Sequence, residues 1–164
     1  MREMVQRERA RWATTLLRSA RRDDALRNAI ESAPAVHLVV LREPHLSRII
    51  RGEKRLEARA CRVRRAPMGC VSPGDLLLLK RAAGDVEAWC VAANAITHDA
   101  AATNELRRRH DAALASPGDA FWDSVRAARY LTLIELETVT PLDRPIRCAK
   151  SCRRGWVVLR RTKR

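Results

Sequence analysis

The sequence predicts an α+β fold, with five or six strands curling into a small barrel and helices packed outside it. Three observations point there. The 164 residues have room for one ordinary domain and a modest extension, and 46% of them are apolar, enough to build a real core. Several short runs of β-branched and leucine residues are bounded by Gly and Pro turns. Helical patterns stand after the first strand and again, as an inserted pair, between the fourth and fifth, an order that separates this chain from a plain OB-like barrel.

Residues 1–34 read as a basic helical extension ahead of a domain spanning 35–164. Residues 1–32 are good helix formers without Gly or Pro, with Trp12, Leu16 and Leu17 near one face. Ala33-Pro34 ends the helix, because proline pushes the preceding residue out of the α region. With few large apolar residues, this segment is either a docked helix or a partly mobile arm. Its acidic and basic residues interrupt any signal-like apolar stretch, and nothing in the chain approaches the ~20 consecutive apolar residues of a membrane span. A cytoplasmic location and no membrane partner are therefore expected.

Val36–Leu41 reads as a buried strand. Glu43-Pro44 opens a helix whose Leu46, Ile49 and Ile50 fall at i, i+3 and i+4, and Gly52 is placed to end it in a left-handed cap. Lys54–Arg59 follows as a strand with Leu56 and Ala58 inward and Arg55, Glu57 and Arg59 outward. Residues 60–73 form a basic loop, and Gly74-Asp75 turns into Leu76–Leu79, a run buried on both faces. Gly84-Asp85 leads to a long strand from Val86 to about Ile96. Thr103 and Asp119 are candidate caps of two helices, one holding Leu106 and Leu114, the other Phe121, Trp122 and Val125. Tyr130–Val139 alternates as a strand, a proline-punctuated loop follows, and Gly155–Arg161 closes the chain as a final strand.

Charge is the strongest compositional fact. The formal net charge is +14, with 33 basic against 19 acidic residues, and lysine contributes only Lys54, Lys80, Lys150 and Lys163. Residues 42–65 hold nine basic and three acidic side chains, a net of +6; residues 144–164 hold nine and none, a net of +9. Residues 66–143 hold seven and eleven, a net of −4. If the fold brings the two basic segments together they form one positive surface for a polyanion; otherwise they are ordinary solvated faces.

Other chemistries find little support. The five cysteines include no C-x-x-C pair, and the spacings of Cys61, Cys70, Cys148 and Cys152 are not those of zinc knuckles, so no metal and no cofactor is expected. His37, His45, His98 and His110 lie in different elements without ligand spacing, and no serine or cysteine is evidently paired with one. The glycines never cluster into a phosphate-cradling loop.

Several segments, in order, resemble the ASCH family of the PUA-like superfamily. They are VHLVVL, the helix EPHLSRIIRG, the pattern G-x-K-x-x-E-x-R at Gly52, Lys54, Glu57 and Arg59, and the V-x-P-G-D turn at Val71–Asp75. RYLTLIEL (Arg129–Leu136) and RRGWVVL (Arg153–Leu159) are similar to the last strands of bacterial ASCH proteins. The resemblance covers about residues 36–160 and implies a PUA-like β-barrel related to RNA-binding domains, with a role in RNA metabolism or regulation. Some members of the family are amidohydrolases on modified cytidine and some are ribonucleases. In the amidohydrolases a threonine nucleophile stands three residues after the lysine; this chain has Glu57 there, and a carboxylate cannot replace an activated hydroxyl without changing the chemistry.

The resemblance implies that Lys54 opens onto a central cleft, where it would contact a phosphate or base or transfer a proton. Glu57, flanked by Arg55, Arg59 and Arg62, either forms an ion pair that shapes the cleft or contacts ligand directly; general-base catalysis is a third role. Lys54 and Glu57 are thus the catalytic candidates. Arg55, Arg59, Arg62, Arg64 and Arg65 suit phosphates through their planar forks, with Lys150, Arg153 and Arg154 on the facing wall. Trp156 is either a core residue or a platform for a base, and the hydroxyls of Tyr130 and Thr132 are further cleft candidates. The expected function is an RNA-binding module for a single-stranded or nucleotide-like ligand. The alternatives are a hydrolase of RNA or modified nucleosides at the same cleft and a module that engages a protein partner through the N-terminal helix.

Overall fold

The computed structural model describes residues 2–150 and 152–162, with side chains from Arg11 onward. The basic charge of Lys163 and Arg164, and the helix face before Arg11, lie outside the described residues. The N-terminal segment forms two helices rather than one, α1 (Arg2–Ala20) and α2 (Asp24–Ser32). The break has a local cause: Asp23 is extended and its side chain accepts the Leu26 amide at 2.9 Å, an N-cap that starts a new helix. Neither helix is a loose arm. Leu16, Ala20, Leu26 and Ile30 are fully buried against Val36, Leu38, Leu76 and Leu78 of the sheet. Each of the larger side chains contributes roughly 1.5–3 kcal/mol through that burial.

The remaining elements are β1 (Ala35–Leu41), α3 (His45–Ile50), β2 (Leu56–Cys61), β3 (Leu76–Arg81), β4 (Val86–Asp99), α4 (Thr103–His110), α5 (Asp119–Arg126), β5 (Tyr130–Ile146) and β6 (Trp156–Arg161). The six strands form one mixed sheet in the order β2-β5-β4-β3-β1-β6, with β1 and β3 parallel and the other pairs antiparallel. The expected closed barrel is not formed, because the edge strands β2 and β6 do not pair with each other. Alternate residues of β1 and β3 serve opposite faces. Leu76 and Leu78 meet α1 and α2, while Leu77 and Leu79 join Val39, Leu41, Leu46 and Ile49 beneath α3. A third cluster, Leu106, Leu114, Trp122, Val125, Leu131 and Leu133, lies under α4 and α5.

Several local expectations hold and others shift. Gly52 at φ +75° ends α3, with its amide on the Ile49 carbonyl and that of Glu53 on Arg48. α4 ends at His110, before Leu114, and Asp119 opens α5 without capping it; its carboxylate pairs with Arg107 at 2.7 Å. β5 continues through Pro141 and Pro145 where a loop was expected. β2 pairs only as far as Glu135, so beyond it one side of β5 is a free edge, where a missing N–H is tolerated. Glu57 does not face solvent: α3 and the α4–α5 connection cover β2, and the carboxylate is buried.

Candidate nucleic-acid interface and the buried pair beside it

The tight end of α3 sets the position of Lys54, whose amide bonds the Arg48 carbonyl at 3.1 Å immediately after the left-handed Gly52. Its side chain turns inward to pair with Glu57. The two residues are only 4% and 5% exposed. Arg59 Nε lies 2.7 Å from the other oxygen of Glu57, an ion pair without hydrogen-bond alignment. Burial pushes the Glu57 carboxyl up, but the charges of Lys54 and Arg59 hold it below its ordinary value, so it stays ionised. His45, on α3, is held neutral at physiological pH by burial and by the Lys54 charge, and its Nδ1 is buried without a hydrogen-bond partner. Lys54, Glu57 and His45, with Ala58, Leu114, Pro117 and Phe121, line a pocket of about 60 Å³. That volume holds water-sized molecules rather than a nucleotide.

Arg59 then crosses from β2 towards the opposite edge of the sheet. Its Nη2 donates to the Val40 carbonyl at 2.9 Å, and its guanidinium carbon sits 5.6 Å from the centre of the Trp156 ring. A Cβ at position 155 would fall 2.9 Å from Arg59 Nη1, so glycine there leaves the guanidinium its place. Trp156 is itself fastened from behind. Its Nε1 donates to His37 Nδ1 at 3.1 Å, and His37 Nε2 lies 3.1 Å from Asp75 Oδ2, which also accepts the Ser72 amide at 2.8 Å. An indole N–H can only donate, so His37 carries its proton on Nε2 and donates a hydrogen bond from there to the carboxylate. Burial, the largest influence, lowers the His37 pKa against the pull of Asp75, in keeping with a neutral ring.

Between the two edges of the sheet runs a groove of about 810 Å³ whose lining includes Arg59, Arg64, Arg65, Arg153, Arg154 and Trp156 and no acidic side chain. Five of the arginines expected at the cleft, drawn from two distant stretches of sequence, thus meet on one surface. The others do not join them. Lys54 and Glu57 belong to the small pocket. Arg55 is exposed, Arg62 turns away to donate to the Ala127 carbonyl at 3.0 Å, and Lys150 folds onto the Cys152 carbonyl. The Thr132 hydroxyl is taken by Thr97 at 2.9 Å, and Arg64 and Arg129 approach the Tyr130 ring at 5.9 and 5.3 Å.

Sequence reasoning overlooked His37, His45, Asp75 and Gly155 as parts of this arrangement. For His37 a signal existed: a histidine inside a strand buried on both faces must have polar partners. Among the described residues no group of three or more His, Cys, Asp or Glu side chains could hold a metal ion. No helix there is long and apolar enough to cross a membrane.

No protein-family model matches the chain, and no curated protein matches it by sequence. Solved structures do match by shape. The ASCH protein of Zymomonas mobilis superposes with a TM-score of 0.62 at 17% identity, over 77% of this chain and 89% of the other. A tyrosine-to-phenylalanine variant of it gives 0.61 at 18% identity, over 77% and 91%. A serine-to-alanine variant gives 0.56 at 19% identity, over 70% and 75%. This chain therefore has a fold similar to that of the Zymomonas mobilis ASCH protein, in keeping with the ASCH resemblance of its sequence.

Proposed function

We propose that this chain is a cytoplasmic RNA-binding protein that holds a single strand in the groove between β2 and β6. The observation that carries the proposal is the convergence of Arg59, Arg64 and Arg65 with Arg153 and Arg154 on one groove without an acidic side chain. Guanidinium forks match phosphate oxygens in geometry as well as charge, and several of them in one groove favour a ligand with regularly spaced phosphates. The ASCH fold, shared with domains resembling RNA binders, supports RNA as that ligand.

Hydrolysis at Lys54 and Glu57 is the weaker reading. Both side chains are buried against each other, and the adjoining pocket of about 60 Å³ is too small for a nucleotide.

The test is fluorescence anisotropy of a labelled single-stranded RNA over a salt series, with the wild type and three charge-matched double variants. Arg64→Ala/Arg65→Ala and Arg153→Ala/Arg154→Ala should each weaken binding and reduce the slope of log K against log salt by about 0.7 per lost phosphate contact. Arg21→Ala/Arg22→Ala removes the same charge at the exposed turn between α1 and α2 and should leave the slope nearly unchanged. Equal losses for all three pairs would mean unspecific arginine attraction, and no binding by the wild type would reject the function.

A further inference from the structure

Neither aromatic ring at or near the groove is free of an arginine. Trp156 is 4% exposed, has Arg59 against its ring and gives its only N–H to His37. Arg64 and Arg129 both approach the Tyr130 ring. Stacking on aromatic faces is the usual way a protein grips unpaired bases, so a groove whose rings already meet arginines must hold a strand by something else.

What the groove offers is one guanidinium of fixed geometry among several exposed ones. Arg64, Arg65, Arg153 and Arg154 are exposed and supply charge. Arg59 is anchored at Nε by Glu57 and at Nη2 by Val40, and Nη1 makes no hydrogen bond among the described residues. An arginine already locked in place loses little side-chain entropy when a ligand binds.

Building on the RNA-binding reading, we infer that the groove reads the strand by its phosphates rather than its bases. The central contact is Arg59 Nη1, and the Asp75–His37–Trp156 hydrogen-bond chain and the bare Cα of Gly155 are its positioning elements. Recognition of this kind is indifferent to sequence, since phosphates carry no base information.

Gly155→Ala tests this without removing any charge, because the added methyl displaces Arg59 Nη1 and Gly155 needs no left-handed backbone. Labelled oligo-U, oligo-C and oligo-A of equal length are titrated with wild-type protein, Gly155→Ala and Trp156→Phe over a salt series. The wild type should bind the three within about threefold of one another. Both variants should lose about tenfold on every strand. Gly155→Ala should also lower the salt slope by about 0.7 while melting like the wild type. If Gly155→Ala does not fold, Arg59→Lys, which keeps the charge but loses the fork, should show the same loss.

A preference above about tenfold for one homopolymer would overturn the inference while leaving RNA binding intact. So would native affinity in Gly155→Ala alongside a loss in Arg64→Ala/Arg65→Ala. Absence of binding by the wild type would overturn both readings together.

Discussion

Trp156 Nε1 donates to His37 Nδ1 across 3.1 Å and so ties the first residue of the last strand to the middle of the first strand. The bond fixes the histidine tautomer, presents Nε2–H to Asp75 and turns the indole face towards Arg59. A turn motif at Asp75 is thereby linked, through two buried rings, to the wall of the arginine groove.

That link predicts a pH dependence. The His37 pKa is lowered from 6.5 by burial, with Asp75 opposing and Arg161 adding to the shift. A depressed folded value means the unfolded chain takes up the proton first. The stabilising contribution is therefore complete above about pH 6.5 and is lost as pH falls through the folded value. His45 and His110 shift in the same direction, so the melting temperature should drop on acidification and His37→Gln should flatten the drop only in part. A profile identical to the wild type would contradict the neutral-ring assignment.

Lys54→Ala should destabilise the fold by about 3 kcal/mol, because it strands Glu57 in the interior with only Arg59 to offset its charge. Replacing both partners, Lys54→Met with Glu57→Met, removes the uncompensated charge and should restore most of that loss. Chemical denaturation of the wild type and the two variants decides the matter; a single mutant as stable as the wild type would show that the pair is solvated. The Glu57 contribution has its own pH signature, present above the ordinary carboxyl value of 4.5 and lost as pH falls through the depressed folded value.

The two N-terminal helices should behave as part of the core. Asp23→Ala removes the cap on Leu26 and should cost about 1 kcal/mol. Leu26→Ala should cost about 2–5 kcal/mol, since the side chain is fully buried against the sheet. Near-neutral values for both, from urea denaturation, would mean that the extension is an independent arm.

Thiol reactivity should follow burial. The Cys90 thiol is pushed far up by burial and by the Glu57 charge, and it should resist alkylation until the chain unfolds. Cys70 and Cys152 are half-buried and should react in the native protein. Rapid native labelling of Cys90, read by mass spectrometry, would show that the sheet opens locally.

The sequence by itself determined most of the elements and where most of them begin. Proline, glycine and hydrophobic period act within a few residues: Gly52 could be placed at the end of α3, and Leu76–Leu79 in a strand buried on both faces, without any tertiary information. It also determined that positive charge gathers in two stretches. What only the tertiary structure decided is which charges stand together and which are buried. Lys54 and Glu57 read like their arginine neighbours along the chain, yet they pair under α3, whereas Arg64 and Arg153 meet across the gap between β2 and β6. That gap exists because the sheet stays open, with Arg59 laid over Trp156 where further strand pairing would have closed a barrel. Closure depends on strand stagger, tilt and edge packing summed over the whole sheet, and no local pattern of residues encodes that sum.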